Sequence, residues 1–320
     1  MGNRPMASDW KIGVVTVTYN SAGVLPGFLR SMAGQTWGNY TLYVVDNASK
    51  DGSAELAGTC SNVPVLVIGN DDNRGVAAGN NQGIHAAFAD GCDAILLINN
   101  DTEFEPGLMA KLADSMAQQG CDMIIPKMMY FEPKDTIWCA GGWINPWRGY
   151  SGEHYGMRER DCGQFDAPRQ VTYAPTCCML VRKSVFERIG YMDERYFVYF
   201  DDTDFCYRAK QAGLVLNYEP AVTLYHKVSS LTGGDESSFA VRYITRNHVY
   251  YLLKNFGRLL AVVLLFGYAL KITAKLLMRT CSLQLFTTAS SAFIEGVRVF
   301  VASRRERREP ETTEVLADIK

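Results

Sequence analysis

Three carboxylates fall within four positions in Tyr199-Phe200-Asp201-Asp202-Thr203-Asp204, directly after an aromatic run. Carboxylates set against apolar surface are costly unless a cation, a hydrogen bond or a proton compensates them. Roughly one hundred residues earlier, Asn99-Asn100-Asp101 closes the apolar run Ala94-Ile95-Leu96-Leu97-Ile98, so Asp101 stands where a buried strand meets a loop. Two acidic clusters of this kind can converge on one cleft, one holding a metal and the other taking a proton. Such a layout suits group transfer.

These carboxylates need a frame, and the first half of the 320-residue chain supplies one. Residues 12–18, 42–45, 65–68 and 94–98 read as strands; 24–35, 53–58, 76–89 and 106–118 read as helices, the last opening on Pro106. This alternation predicts a parallel sheet with helices on both faces, whose ligands bind at the carboxyl ends of the strands. Those ends are polar: Thr18-Tyr19-Asn20-Ser21, Asp46-Asn47-Ala48-Ser49, Asn73-Arg74-Gly75 and Asn99-Asn100-Asp101-Thr102. Neither G-x-G-x-x-G nor G-x-x-x-x-G-K-[ST] occurs, which weighs against dinucleotide and P-loop enzymes.

Beyond residue 126 the alternation breaks down. Residues 138–150 hold three of the five tryptophans, 172–181 are apolar, 184–189 helical, and 214–218 and 221–225 resemble strands. A Gly/Ser-rich loop at 229–238 precedes a helical stretch to about residue 301 and a charged tail. The net charge of −2 hides an asymmetry: residues 252–308 carry ten Lys/Arg against two Asp/Glu, while the body before them is acidic. That distribution gives no reason to expect nucleic acid and suits contact of the C-terminal region with an anionic leaflet. The longest apolar run, 259–270, is shorter than the ~20 residues a helical span needs. It predicts a helix lying in the membrane interface, or one packed on the body. Nine cysteines without a C-x-x-C pair, and an N-terminus without an apolar core, point to reduced thiols in the cytoplasm.

The segments Val14-Val15-Thr16-Val17-Thr18-Tyr19-Asn20, Val44-Val45-Asp46-Asn47-Ala48-Ser49, Asn73-Arg74-Gly75, Asn99-Asn100-Asp101-Thr102 and Tyr199-Phe200-Asp201-Asp202-Thr203-Asp204 follow one another in the order and spacing of family 2 glycosyltransferases. Over roughly residues 11–251 the chain resembles the bacterial rhamnosyltransferase-like branch of the WbbL type. The resemblance implies a GT-A fold: α/β, with a Rossmann-like, mostly parallel central sheet, an acceptor-binding subdomain and C-terminal amphipathic helices. With the charge and hydropathy pattern, it divides the chain into an extension (1–10), a nucleotide-sugar-binding half (11–126), a catalytic and acceptor half (127–250), helices for membrane-interface attachment (251–303) and a tail (304–320).

The same resemblance implies roles. Asp46 would read the nucleotide base, accepting the imide N–H of uracil or thymine; a carboxylate there can also cap the turn that follows, and both can hold. Thr18 and Asn20 would line that pocket. Asn73 and Arg74 would meet the base or a phosphate, unless Arg74 is a solvated surface group. Asn99, Asn100 and Asp101 occupy the D-x-D position with one acidic ligand missing; Asp101 would bind Mg²⁺ or Mn²⁺ bridging the donor's phosphates, with His226 as a second ligand or as a structural histidine. Asp202 is the expected base, removing the proton of the attacking acceptor hydroxyl. Asp201 stands where the family usually has Glu, among the acceptor contacts, and Asp204 would orient a neighbour or cap the helix that follows. Arg246 would touch the diphosphate or pair with the acidic cluster. Trp143, with Trp138, Trp147 and Tyr150, would form an acceptor platform, a hairpin core or a membrane belt. The 229–238 loop would be a lid or an ordinary surface loop.

The expected activity is thus inverting, metal-assisted transfer of a sugar, rhamnose by resemblance, from a UDP- or dTDP-sugar to a glycan or polyprenyl-linked acceptor. Its setting would be the cytoplasmic face of the membrane, in synthesis of a surface polysaccharide such as O-antigen. A polyprenyl-phosphate glycosyltransferase, which would usually carry true transmembrane helices, and a non-catalytic sugar-nucleotide-binding protein are the alternatives.

Overall fold

Four apolar runs separated by helices form parallel strands, β1 (Ile12–Thr18), β2 (Tyr40–Asp46), β3 (Val65–Gly69) and β4 (Ala94–Ile98), side by side in the order β3-β2-β1-β4. The helices are α1 (Leu25–Ala33), α2 (Ser53–Gly58), α3 (Gly75–Ala89) and, after β4, α4 (Leu108–Gln119). In register, Thr18 lies opposite Asp46 and Asp46 opposite Gly69, so the polar strand ends line one edge. The computed structural model describes residues 10–59, 62–228 and 237–306. Two units, Met1–Leu231 and Thr232–Lys320, divide the chain.

Past β4 the sheet of the first unit continues without a break. β11 (Cys178–Arg182) runs antiparallel to β4 and to β6 (Met123–Tyr130), and β12 (Leu216–His226) runs parallel to β6. Two reversals return β6 and β12 to the direction of β1–β4, so all six strands end at the same edge. Sequence reading gives two short strands at 214–218 and 221–225; the structure joins them into β12. Its register shifts between Glu219 and Thr223, around Pro220, and a bulge is where a residue without an N–H is tolerated. β5 (Thr102–Phe104) pairs with β12, β7 (Ile137–Cys139) with β6, and β10 (Arg169–Val171) with β12. The hairpin β8 (Gly142–Asn145) and β9 (Ser151–His154) stands apart from the main sheet, and α5 (Lys183–Ile189) and α6 (Asp201–Gln211) complete the unit. Val14, Leu42, Leu96, Ile124 and Leu180 are among the side chains that fill its core.

The second unit consists of α7 (Ser238–Asn255), α8 (Arg258–Leu277) and α9 (Leu283–Glu306). Ser237 caps α7, its Oγ accepting the Ala240 N–H at 3.1 Å. The expectation of a twelve-residue apolar segment too short to span is corrected here. Gly257 at the start and the positive φ of Arg279 just past the end set the limits of α8, not the point where hydrophobicity stops. At 20 and 24 residues, α8 and α9 are both long and apolar enough to cross a membrane by length and composition; 20 residues of helix extend about 30 Å. Within α8, Ala261 and Tyr268 face inward, the Tyr268 hydroxyl meeting Thr245 Oγ1 at 3.3 Å. Leu259, Val262, Val263, Phe266, Leu270 and Leu277, recurring at helical spacing, form an exposed apolar face.

Candidate active site

The edge at the ends of β1, β2 and β3 is built from short-range turns. Asp46 ends β2 buried, and its Oδ2 accepts the Ser49 N–H at 2.9 Å, closing the turn after the strand. Its Oδ1, and the Oγ1 of the neighbouring Thr18, are buried without a hydrogen-bond partner among the described residues. A buried acceptor left bare is costly, and a ligand N–H is one way to satisfy it. Asn20 is exposed in the left-handed region at φ 50°, and its Oδ1 accepts the Lys50 N–H at 2.9 Å, tying the β1 loop to the β2 loop. Asn73 Oδ1 accepts from Asn47 Nδ2 at 3.2 Å and from the Gly75 N–H at 3.0 Å, holding the turn into α3. At Gly75 (φ +82°) a Cβ would overlap the Phe197 carbonyl, which accepts the Val76 N–H at 2.7 Å. Glycine therefore lets the start of α3 meet the segment just ahead of Asp201. Arg74 is exposed and pairs with Asp72 at 3.3 Å.

At the end of β4, Asn99 is exposed, while Asn100 is buried with its Nδ2 donating to the Val17 carbonyl at 3.0 Å. Asn100 thus braces β1, leaving Asp101 as the acidic group of this segment. Pairing of β5 with β12 sets Thr102 opposite His226, and the Lys227 N–H donates to the Asp101 carbonyl at 2.9 Å. The side chains consequently meet, Asp101 Oδ1 lying 3.1 Å from His226 Nε2. His226 Nδ1 is buried without a hydrogen-bond partner among the described residues, and Trp138 packs edge-on against the ring at 4.4 Å. A carboxylate oxygen and an imidazole nitrogen at the ends of rigid strands fit Mg²⁺ or, with the nitrogen, Mn²⁺, provided further oxygen ligands complete the sphere. No group of three or more His, Cys, Asp or Glu is gathered for a metal among the described residues.

Ahead of α6 the backbone is strained. Tyr199 and Phe200 both have positive φ, 64° and 67°, in a region that costs a non-glycine residue about 1–3 kcal/mol. The turn they make delivers Asp201 and Asp202 to the first turn of α6. Asp202 Oδ1 accepts the Thr203 N–H at 2.6 Å and the Thr203 hydroxyl at 3.1 Å, and its Oδ2 accepts the Tyr173 hydroxyl at 3.0 Å. Burial pushes both carboxyls above the ordinary carboxylate range; the neighbouring charge adds to this at Asp201, while the donors from Tyr173 and Thr203 oppose it at Asp202. Adjacent buried carboxyls do not both ionise readily. The donors from Tyr173 and Thr203 favour the charge on Asp202, while burial and the charge of its neighbour hold the proton on Asp201. Burial, helped by Asp202, pushes up the thiols of Cys139 and Cys206, that of Cys206 to about 12, so both stay neutral.

Asp204 takes the structural role. It is fully buried, its Oδ2 accepting from Arg208 Nε at 2.8 Å and its Oδ1 from the Tyr196 hydroxyl at 3.3 Å, while Arg208 also donates to the carbonyls of Ile189 and Tyr191. Through Arg208, Asp204 braces α6 against the end of α5. The four aromatic residues at 138–150 differ in burial. Trp138 is buried between His226 and His154, Trp143 and Tyr150 are half-buried, and Trp147 is 92% exposed. Arg246 lies in the second unit, where it pairs with Glu295 at 3.2 Å and donates to Asn247 Oδ1. The expected lid falls on residues 229–238, of which 229–236 lie outside the described residues.

Tyr173 and His154 carry no motif and were not foreseen. Yet they join the two acidic clusters: Trp138 touches both His226 and His154, and His154 stacks on Tyr173, which donates to Asp202. The only signal in the sequence was the apolar run 172–181 in which Tyr173 stands.

Residues 13–190, more than half the chain, match the family profile described as Glycosyl transferase family 2. The low-salt glycan biosynthesis hexosyltransferase Agl10 of Haloferax volcanii is 25% identical over 246 residues, covering 74% of this chain and 73% of its own. The N-acetylglucosaminyl-diphospho-decaprenol L-rhamnosyltransferase of Mycobacterium tuberculosis is 27% identical over 251 residues, covering 70% and 78%. Among solved structures, residues 1–349 of S. aureus TarS in complex with UDP superpose with a TM-score of 0.57 at 16% identity, covering 93% of this chain and 92% of that one.

Proposed function

Because this chain belongs to glycosyltransferase family 2 and has the GT-A fold, we propose that it transfers a sugar with inversion from a nucleotide diphosphate donor to a lipid-linked or growing glycan acceptor. One observation carries the reading: the Asp101–His226 pair lies at the same sheet edge as the bare Asp46 Oδ1, and Trp138, His154 and Tyr173 link that pair to Asp202. Asp46 accepts the imide N–H of the base while keeping its turn bond to Ser49. Thr18 and Asn20 line the pocket. Asp101 and His226 would hold a divalent cation, which when bound neutralises charge on the leaving diphosphate. Asp202 takes the proton of the acceptor hydroxyl. Its two oxygens offer about four acceptor sites; Thr203 and Tyr173 fill three, leaving room for that hydroxyl. Asp201, protonated beside it, faces the acceptor as a neutral group.

The segment 11–126 would then supply the nucleotide contacts, 127–250 the base and the acceptor contacts, and 251–303 attachment to the cytoplasmic face of the membrane through the exposed apolar face of α8. The rhamnosyltransferase named above supports rhamnose as the sugar and a polyprenyl diphosphate-linked sugar as the acceptor; a dTDP-sugar as donor and a role in surface polysaccharide synthesis complete the proposal. The lengths of α8 and α9 favour a second reading, transfer to polyprenyl phosphate itself by an enzyme anchored through its own helices.

Calorimetric titration with UDP- and dTDP-sugars, with and without Mn²⁺, tests the first reading. Metal-dependent binding should survive in Asp202→Asn and weaken about tenfold or more in Asp101→Ala, the loss of a charged partner. No binding of either sugar nucleotide, with or without Mn²⁺, would overturn the reading. Assays offering polyprenyl phosphate and polyprenyl diphosphate-sugar side by side separate the two acceptors.

A further inference from the structure

We propose that Tyr173 is a positioning residue for the transfer, orienting the Asp202 carboxylate and holding it in its charged form; this rests on the reading of Asp202 as the base. The geometry is that of a clamp. Tyr173 is buried, and its hydroxyl lies 3.0 Å from Asp202 Oδ2. Gly142 of β8 and Gly152 of β9 lie against its ring, so closely that a Cβ at either would overlap it. Its N–H donates to the Gly142 carbonyl at 3.3 Å, and His154 stacks on the ring with centroids 5.7 Å apart. His154 is fixed in turn by its Nδ1 contact with the Trp138 carbonyl at 3.0 Å, and burial pushes it below the ordinary histidine range, towards the neutral form. The hairpin thus holds the phenol ring, and its hydroxyl donates to the Asp202 carboxylate.

The titratable groups facing Asp202 are Asp201 on its own helix, Tyr173, Cys139 on β7 and Cys206 on α6. None of these is a cation. The charge on Asp202 is therefore sustained by hydrogen bonds, and a phenol donating to a carboxylate is among the stronger kinds. Thr203 supplies the other two, but it bonds Oδ1 alone; Tyr173 donates to Oδ2, and so fixes the rotation of the carboxylate about its last bond.

Tyr173→Phe keeps the ring in its slot and removes only the hydroxyl. The acidic limb of the kcat–pH profile should move up by about one to two pH units, the worth of a hydrogen bond to a charged group. Turnover should fall about tenfold or more below the limb and recover towards the parent value at high pH, with donor KM changed by less than about twofold. Fluorotyrosine at position 173, close in shape and a more acidic donor, should move the limb the other way. An unshifted limb in both variants overturns the proposal. Asp202→Asn run in parallel separates the two readings: if it retains turnover, Asp202 is not the base; if it is inactive while the Tyr173 variants keep the parent profile, only the role of Tyr173 fails.

Discussion

Asp46, buried at the end of β2, and Asp202, half-buried in the first turn of α6, are acids of the same unit held in opposite ways. Asp46 has one oxygen tied to a backbone N–H three residues on and the other bare. Asp202 has both oxygens engaged, by the next residue and by a tyrosine 29 positions back. The first arrangement needs only a strand end and a tight turn. The second needs a strained turn at Tyr199 and Phe200, the β8–β9 hairpin and an aromatic stack to bring a distant hydroxyl into place. A bare oxygen in a rigid turn is suited to recognition, where the ligand supplies the missing donor. A carboxylate surrounded by donors is suited to chemistry, where its charge and its orientation must already be set before substrate arrives.

The sharpest way to break this comparison is to neutralise each acid. Asp202→Asn should lower kcat by about 10²- to 10⁴-fold, the usual worth of a positioned base, while donor binding is kept. Retained turnover would move the chemistry elsewhere. Asp46→Asn should act on the other quantity. The Ser49 N–H demands an acceptor, so the new amide turns its oxygen to the turn and its NH₂ to the cleft, setting a donor against the donor of the base. Donor affinity should fall about 10- to 100-fold, with kcat and the melting temperature near the parent values. Donor affinity unchanged in Asp46→Asn would mean that Asp46 serves the turn alone.

The same contrast explains what could be read from the chain itself. Strands β1 and β4 and helix α2 were legible to the residue, and the strand-end residues Thr18, Asp46 and Asp101 with them, because alternating apolar runs and polar turns are local patterns. Asp101 and His226 are 125 positions apart, and neither residue type nor spacing announces their contact; the family resemblance suggested it, and antiparallel pairing of β5 with β12 produces it. Tyr173 and His154 were invisible because a single tyrosine in an apolar run looks like core, and here it is core that also ends in a hydroxyl aimed at Asp202. The length of α8 was misjudged because a helix persists through Lys271 and Lys275 once its turns are formed, whereas an apolar run does not.

The smallest expected effect lies between neighbours, Asp201 and Asp202. In the unfolded chain Asp201 ionises near the ordinary carboxylate value of about 4, whereas burial and the charge of Asp202 hold its proton to higher pH in the folded chain. Below the unfolded value both states are protonated and the group makes no difference to stability. As pH rises past it, the unfolded chain ionises while the folded chain does not, and stability falls until pH has passed the raised folded value. Asn at this position removes that loss. Asp201→Asn should therefore melt above the parent at pH 8, by about 2–4 °C for each kcal/mol recovered, and by less at pH 5. Turnover should stay within about threefold, since the amide imitates a protonated carboxyl in size and neutrality. An equal melting difference at the two pH values would mean that Asp201 is ionised in the folded protein. A loss of turnover as large as that of Asp202→Asn would mean that the two acids share the proton transfer, and the division between a charged base and its neutral neighbour would fall.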